Sequence, residues 1–132
     1  MNGPATHPPR LPPTILVVDD EAGLREALAL FFEGEGYQVL TARDGAEALT
    51  LLGRADLIVS DVRMPTMGGG ELLLHLRARE SPQPMLLLSG YSDLDAEVAT
   101  AVGALALLHK PIDLPEVGRL VREALAQAGK LG

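Results

Sequence analysis

The 132-residue sequence contains no cysteine. A disulfide framework and a thiolate metal site are therefore both excluded. It contains no tryptophan and only two phenylalanines and two tyrosines. The core must be built from Leu, Val, Ile and Ala. No apolar run approaches the ~20 residues of a membrane span. The N-terminus lacks the basic-then-apolar form of a signal peptide. Basic residues are few, 11 against 18 acids, for a net charge of −7. A nucleic-acid surface needs clustered Lys and Arg, so direct nucleic-acid binding is not expected. A reducing, cytoplasmic location fits the missing cysteines.

The length supports one domain with a real core. Residues 1–13 hold five prolines and Gly3, with no apolar periodicity, and read as an extended tail or linker carrying a lone His7. Residues 14–18 form a first buried strand that ends in Asp19-Asp20-Glu21. Leu24, Ala27, Leu28, Phe31 and Phe32 follow at helical spacing, and Gly34 and Gly36 stop that helix. Residues 37–42 predict a second strand whose polar Gln38 and Thr41 mark an edge. Asp44 and Glu47 start a second helix with Ala46, Leu49 and Leu52 as its buried stripe.

Leu57-Ile58-Val59-Ser60-Asp61 predicts a third buried strand with an acid at its end. Gly68-Gly69-Gly70 reads as a flexible turn before a third helix, with Leu72, Leu73 and Leu76 inward and Arg77 and Arg79 outward. Residues 85–88 form a fourth strand ending in Ser89-Gly90. Ser92 and Asp95 box the start of a fourth helix, with Leu94, Val98, Ala101 and Val102 on one face and Gly103 at its end. Residues 104–108 form a fifth strand, followed by His109-Lys110-Pro111. Asp113 caps a fifth helix with Val117, Leu120, Val121, Ala124 and Leu125 inward. Strand and helix alternate five times. The expected fold is α/β, a single doubly wound five-stranded parallel sheet with helices on both faces. The domain is placed at 14–128, with a short tail at 129–132.

The residues that close the strands are Asp19 and Asp20, Asp61, Ser89 and Lys110. In a parallel sheet these ends share one edge, where ligands bind. Three carboxylates together repel, and a hard divalent cation removes that conflict. Mg²⁺ takes carboxylate and carbonyl oxygens and keeps several waters. With Mg²⁺ and Lys110 the formal charge falls to zero, so the site accepts an anion such as a phosphoryl group. Asp61 can attack phosphorus as a carboxylate without first losing a proton. Lys110 and Ser89 can stabilise the phosphoryl oxygens. Paired acids after a strand could otherwise serve only as a helix start. Ser before Gly could be only a turn. His75 and His109 read as solvent or packing residues.

Val-Val-Asp-Asp-Glu, Ser-Asp-Val-Arg-Met-Pro-x-Met-x-Gly, Leu-Leu-Ser-Gly and His-Lys-Pro occur in this order. Together they resemble the receiver domain of two-component response regulators, over about residues 13–127. The resemblance implies a flavodoxin-like (β/α)5 sheet with strand order 2-1-3-4-5. It implies that Asp61 accepts phosphoryl from a sensor histidine kinase or a histidine phosphotransfer protein. Asp20, Asp61 and the backbone carbonyl of Arg63 would ligate Mg²⁺, and Asp19 would do so through water. Ser89 and Lys110 would bind the phosphoryl group. Pro111 would follow Lys110 through a bond that is commonly cis. An output face of fourth helix, fifth strand and fifth helix would meet a downstream protein, with a phosphorylation-dependent homodimer as a further arrangement. Arg63 and Tyr91 occupy rim positions that influence dephosphorylation in such domains.

Two positions depart from the family pattern. Leu107 stands where an aromatic residue usually reports phosphorylation, and Met67-Gly68-Gly69 replaces Met-Asp-Gly. The expected function is a phosphoryl-accepting switch whose modified form alters partner binding. It is catalytic only in self-phosphotransfer and autodephosphorylation. A degenerate receiver that docks without phosphorylation is the first alternative, and Leu107 is the point in its favour. A Mg²⁺-dependent phosphatase with an Asp nucleophile is the second. It would carry Asp-x-Asp after the first strand and usually a cap domain, whereas this sequence has adjacent Asp19-Asp20 and no room for a cap.

Overall fold

A computed structural model of the protein describes residues 11–80, 82–90 and 96–131. The expected tail over residues 1–10, and the readings of Tyr91, Ser92, Leu94 and Asp95, lie outside them. Among the described residues, five strands, β1 (Thr14–Val18), β2 (Gln38–Ala42), β3 (Leu57–Asp61), β4 (Met85–Ser89) and β5 (Ala106–His109), alternate with five helices. The helices are α1 (Ala22–Gly34), α2 (Gly45–Leu49), α3 (Gly69–Ala78), α4 (Ala96–Ala101) and α5 (Leu114–Gln127). The strands form one sheet in the order β2-β1-β3-β4-β5. Every pairing is parallel.

Side chains on a strand alternate between the two faces, so the sheet builds two cores. Leu16, Val18, Ile58, Met85 and Leu87 face one side, under Ala48 of α2, Leu72, Leu73 and Leu76 of α3, and Ala99 of α4. Ile15, Val17, Leu57, Val59, Leu86 and Leu88 face the other, under Leu28 and Phe32 of α1 and Val117, Val121 and Leu125 of α5. β3 and β4 are buried along their whole length. β2 is the half-exposed edge that its polar residues predict.

The structure corrects several local expectations. α2 is one short turn of five residues followed by a 3-10 turn at Leu52–Arg54. The buried side of the two turns is Gly45 and Ala48 on α2 and Leu52 on the 3-10 turn, while Ala46 is exposed. Gly45 sits there because a Cβ would meet the Met67 backbone oxygen at 2.7 Å. On α4, Ala99 is buried, whereas Val98 and Ala101, and Val102 just after the helix, are exposed. Ala27 of α1 is also exposed. Arg77 is half-buried rather than outward, because its guanidinium bonds to two backbone carbonyls. Asp113 is the residue before α5, yet its side chain makes no capping bond. Asp44 does cap α2, accepting from the Glu47 N–H at 2.8 Å.

Candidate functional site

β1 delivers Asp19 and Asp20 to the carboxyl edge of the sheet. The Asp19 N–H donates to the Ala42 carbonyl at 3.1 Å, continuing the ladder to β2. Its Oδ1 accepts the Glu21 N–H at 2.9 Å, a local turn that Asp side chains favour. Arg25 donates to the Asp19 carbonyl at 2.8 Å. Asp19 is fully buried, and its Oδ2 has no hydrogen-bond partner. Asp20, by contrast, is exposed.

β3 delivers Asp61, which is 6% exposed. The next N–H, of Val62, donates to the Leu88 carbonyl at 2.8 Å. The Lys110 N–H donates to the Ser89 carbonyl at the same distance. These bonds continue the ladders beyond the last paired residues and align the three strand ends. Lys110 Nζ lies 3.2 Å from Asp61 Oδ2, across 49 residues of sequence. The Lys110–Pro111 bond is cis.

The carboxylates of Asp19, Asp20 and Asp61 offer oxygens that all lie within 4.8 Å of one another. Burial raises the Asp19 carboxyl above its ordinary value. The Glu21 N–H and Lys110 oppose that rise, while Asp61 and Asp20 add to it. A buried, unpartnered carboxylate oxygen beside two further acids is costly without a cation. The donor set is all oxygen, so the residues fit a hard divalent ion.

Two cavities flank Asp61. One, of about 320 Å³, is lined by Asp61, Arg63, Ser89, Gly90 and Lys110. The other, of about 420 Å³, is lined by Asp20, Val62, Arg63, Met64 and Pro65. Arg63 borders both. The acids and the cavity that holds Ser89 and Lys110 thus meet at Asp61. A larger cavity, about 640 Å³, lies at Gly53, Asp56, Gln83 and Lys130. It is at the opposite end of the sheet, away from the acid cluster, so chemistry rather than volume locates the site.

The carboxyl edge of the sheet brings together Asp19, Asp20, Asp61, Arg63, Ser89 and Lys110, while Tyr91 lies outside the described residues. The chain belongs to the response regulator receiver domain family, whose model matches residues 15–122. It is similar to the transcriptional regulatory protein GlrR of Escherichia coli (strain K12), with 37% identity over 120 residues. That match covers 89% of this chain and 27% of GlrR, so the chain spans about a quarter of that relative. It is also similar to sporulation initiation phosphotransferase F of Bacillus subtilis (strain 168), at 33% identity over 84% of this chain and 92% of that protein. Among solved structures, the receiver domain of the Francisella response regulator 1452 superposes with a TM-score of 0.83. Its identity is 29%, covering 88% of this chain and 98% of that one.

Sequence reading missed two supports of this receiver site. The buried Ser60 hydroxyl donates to the Asp61 carbonyl at 2.9 Å. A polar residue inside an otherwise apolar strand was the available signal. Gly69 is a second support: its N–H donates to the Val62 carbonyl at 3.0 Å, and a Cβ there would lie 2.4 Å from the Asp61 carbonyl oxygen. The triplet of glycines reads as freedom in sequence, but at Gly69 it provides close approach.

Proposed function

We propose that this receiver domain is a switch in which Asp61 accepts a phosphoryl group. The single observation that carries the reading is the surplus of acid beside one ammonium: buried Asp19 and Asp61 with exposed Asp20, their oxygens within 4.8 Å, and Lys110 at 3.2 Å from Asp61. An Asp61 oxygen forms a bond to phosphorus. The bond from phosphorus to the donor histidine nitrogen breaks, and its electron pair leaves with the imidazole. Lys110 keeps a cation against the phosphoryl oxygens, and Ser89 offers its hydroxyl from the same cavity. Asp20, Asp61, the Arg63 carbonyl and, through water, Asp19 would hold Mg²⁺. When bound, that ion would supply positive charge to offset the charge on the transferring group. Ser60 and Gly69 hold the Asp61 peptide so that its side chain stays directed at the cavity edge.

The donor is a sensor histidine kinase or a histidine phosphotransfer protein. The downstream partner is a protein that meets the face of α4, β5 and α5, or a second copy of the chain. We assign no nucleic-acid contact to this domain. Among the described residues no helix is long and apolar enough to cross a membrane. A cytoplasmic home is part of the proposal.

The test is incubation with Mg²⁺ and acetyl phosphate, followed by intact mass. One phosphoryl adduct is expected on the unaltered protein and none on Asp61→Ala. An adduct that survives the substitution would move the acceptor elsewhere. No adduct from acetyl phosphate or a cognate kinase would leave a docking module, and turnover of a small phosphoester would favour a phosphatase.

A further inference from the structure

α3 starts on the peptide of the proposed phosphoacceptor, where Gly69 packs on the Asp61 carbonyl. Eight residues further, about 12 Å along the helix, Arg77 reaches two other elements. Its Nη2 donates to the Gly103 carbonyl at 2.8 Å, and its Nη1 donates to the Gln83 carbonyl at 3.0 Å. Gly103 lies between α4 and β5 with φ +105, and a Cβ there would meet Arg77 Nε at 2.8 Å. Gln83 lies two residues before β4. One half-buried cation therefore joins α3 to the α4–β5 turn and to the start of β4. Charged donors make such bonds stronger than neutral ones.

β5 is consequently held at both ends. Near its start, Gly103 is bonded to Arg77; just past its end, Lys110 is paired with Asp61. Between them Leu107 is buried against the apolar core and has no polar or aromatic group to report a change. Outward from the turn, Val98 on α4 and Val102 just after it are 51% and 43% exposed.

We propose that Arg77 is the positioning residue through which the state of Asp61 reaches the α4–β5 turn. This rests on Asp61 being the phosphoacceptor. The Arg77 bonds make α3, the end of α4 and the start of β5 one body. A phosphoryl group on Asp61 draws Lys110 and strains that body at Gly103, altering the turn beneath Val98 and Val102. A two-state element biased at one site and read at another requires such a connection.

Amide hydrogen exchange on the full chain, with and without acetyl phosphate and Mg²⁺, tests this over residues 98–107. Phosphorylation should change exchange there in the unaltered protein. Arg77→Met should lose most of that difference while intact mass shows the same phosphoryl yield. Arg77→Lys, which keeps the charge without the fork, should retain part of it. Arg79→Met, at an exposed neighbour, should retain all of it. An Arg77→Met protein that exchanges faster in both states, with the difference intact, would make Arg77 merely structural and overturn the proposal. If Arg77→Met does not fold, Arg77→Lys decides: an undiminished difference overturns it. An unaltered protein that carries the adduct but shows no change at the turn also overturns it. Absence of the adduct overturns the reading of Asp61 itself, and this inference with it.

Discussion

The two ends of β3 each carry an aspartate paired with a lysine, and only one pair stands in a cluster of further acids. At the carboxyl end, Asp61 and Lys110 lie 3.2 Å apart with side-chain exposures of 9% and 25%. At the amino end, Asp56 and Lys130 lie 3.4 Å apart with exposures of 28% and 50%. The other oxygen of Asp56 accepts the Thr14 N–H at 2.8 Å, so both oxygens serve structural bonds. Asp61 instead stands beside two more acids, one of them fully buried and unpartnered at Oδ2. An ion pair alone is therefore uninformative about function. Buried charge left uncompensated is informative, because it persists only where something else can balance it.

The strongest way to break this comparison is to remove each acid. Asp61→Asn should abolish the phosphoryl adduct by intact mass, whereas Asp56→Asn should leave it unchanged and lower stability by about 1 kcal/mol in urea unfolding. Equal loss of the adduct in both would mean that the amino end also matters to the chemistry. Removing the lysines comes next. Lys110→Met should slow adduct formation about 100-fold, the typical effect of deleting one donor to a developing charge. Lys130→Met should change neither that rate nor, beyond about 0.5 kcal/mol, the stability.

Gly69→Ala sharpens the comparison at the peptide level. The added methyl must displace the Asp61 backbone, so a stability loss of about 2 kcal/mol is expected by urea midpoint. The same change at Gly53, beside the amino-end cavity, meets no atom within 4 Å and should be nearly silent.

The smallest expected effect is a pH slope. Asp19 has a higher pKa folded than unfolded, so the native state binds its proton more tightly. Metal-free protein should therefore lose stability as pH rises from the ordinary carboxylate value through the raised one. Asp19→Asn should flatten that slope in chelator, measured as urea midpoint against pH. A slope that survives the substitution would place its origin elsewhere.

The sequence is most legible where its pattern is long or chemically unusual. α1 and α5 run for 13 and 14 residues, enough turns for an apolar face to show. α2 has five residues, too few to tell one face from another. Around α4, Val98 and Val102 suggested a buried stripe, while the smaller Ala99 is what the sheet accepts. Arg77 read as solvated because its acceptors are backbone carbonyls, which no side-chain pattern announces. Asp113 marked the right boundary without making the bond that a capping residue suggests.

By itself, the sequence determined the alternation of strands with helices and the order in which acids, serine and lysine end those strands. Those are local properties, set by periodicity and turn chemistry. Tertiary structure decided which ends became neighbours. Parallel crossovers place β1 between β2 and β3, and β4 beside β5. That order brings Asp19 to Asp61, and Lys110 to Asp61 across 49 residues. The physical reason is that register, crossover hand and close contacts such as Gly69 on Asp61 arise only when distant segments pack together.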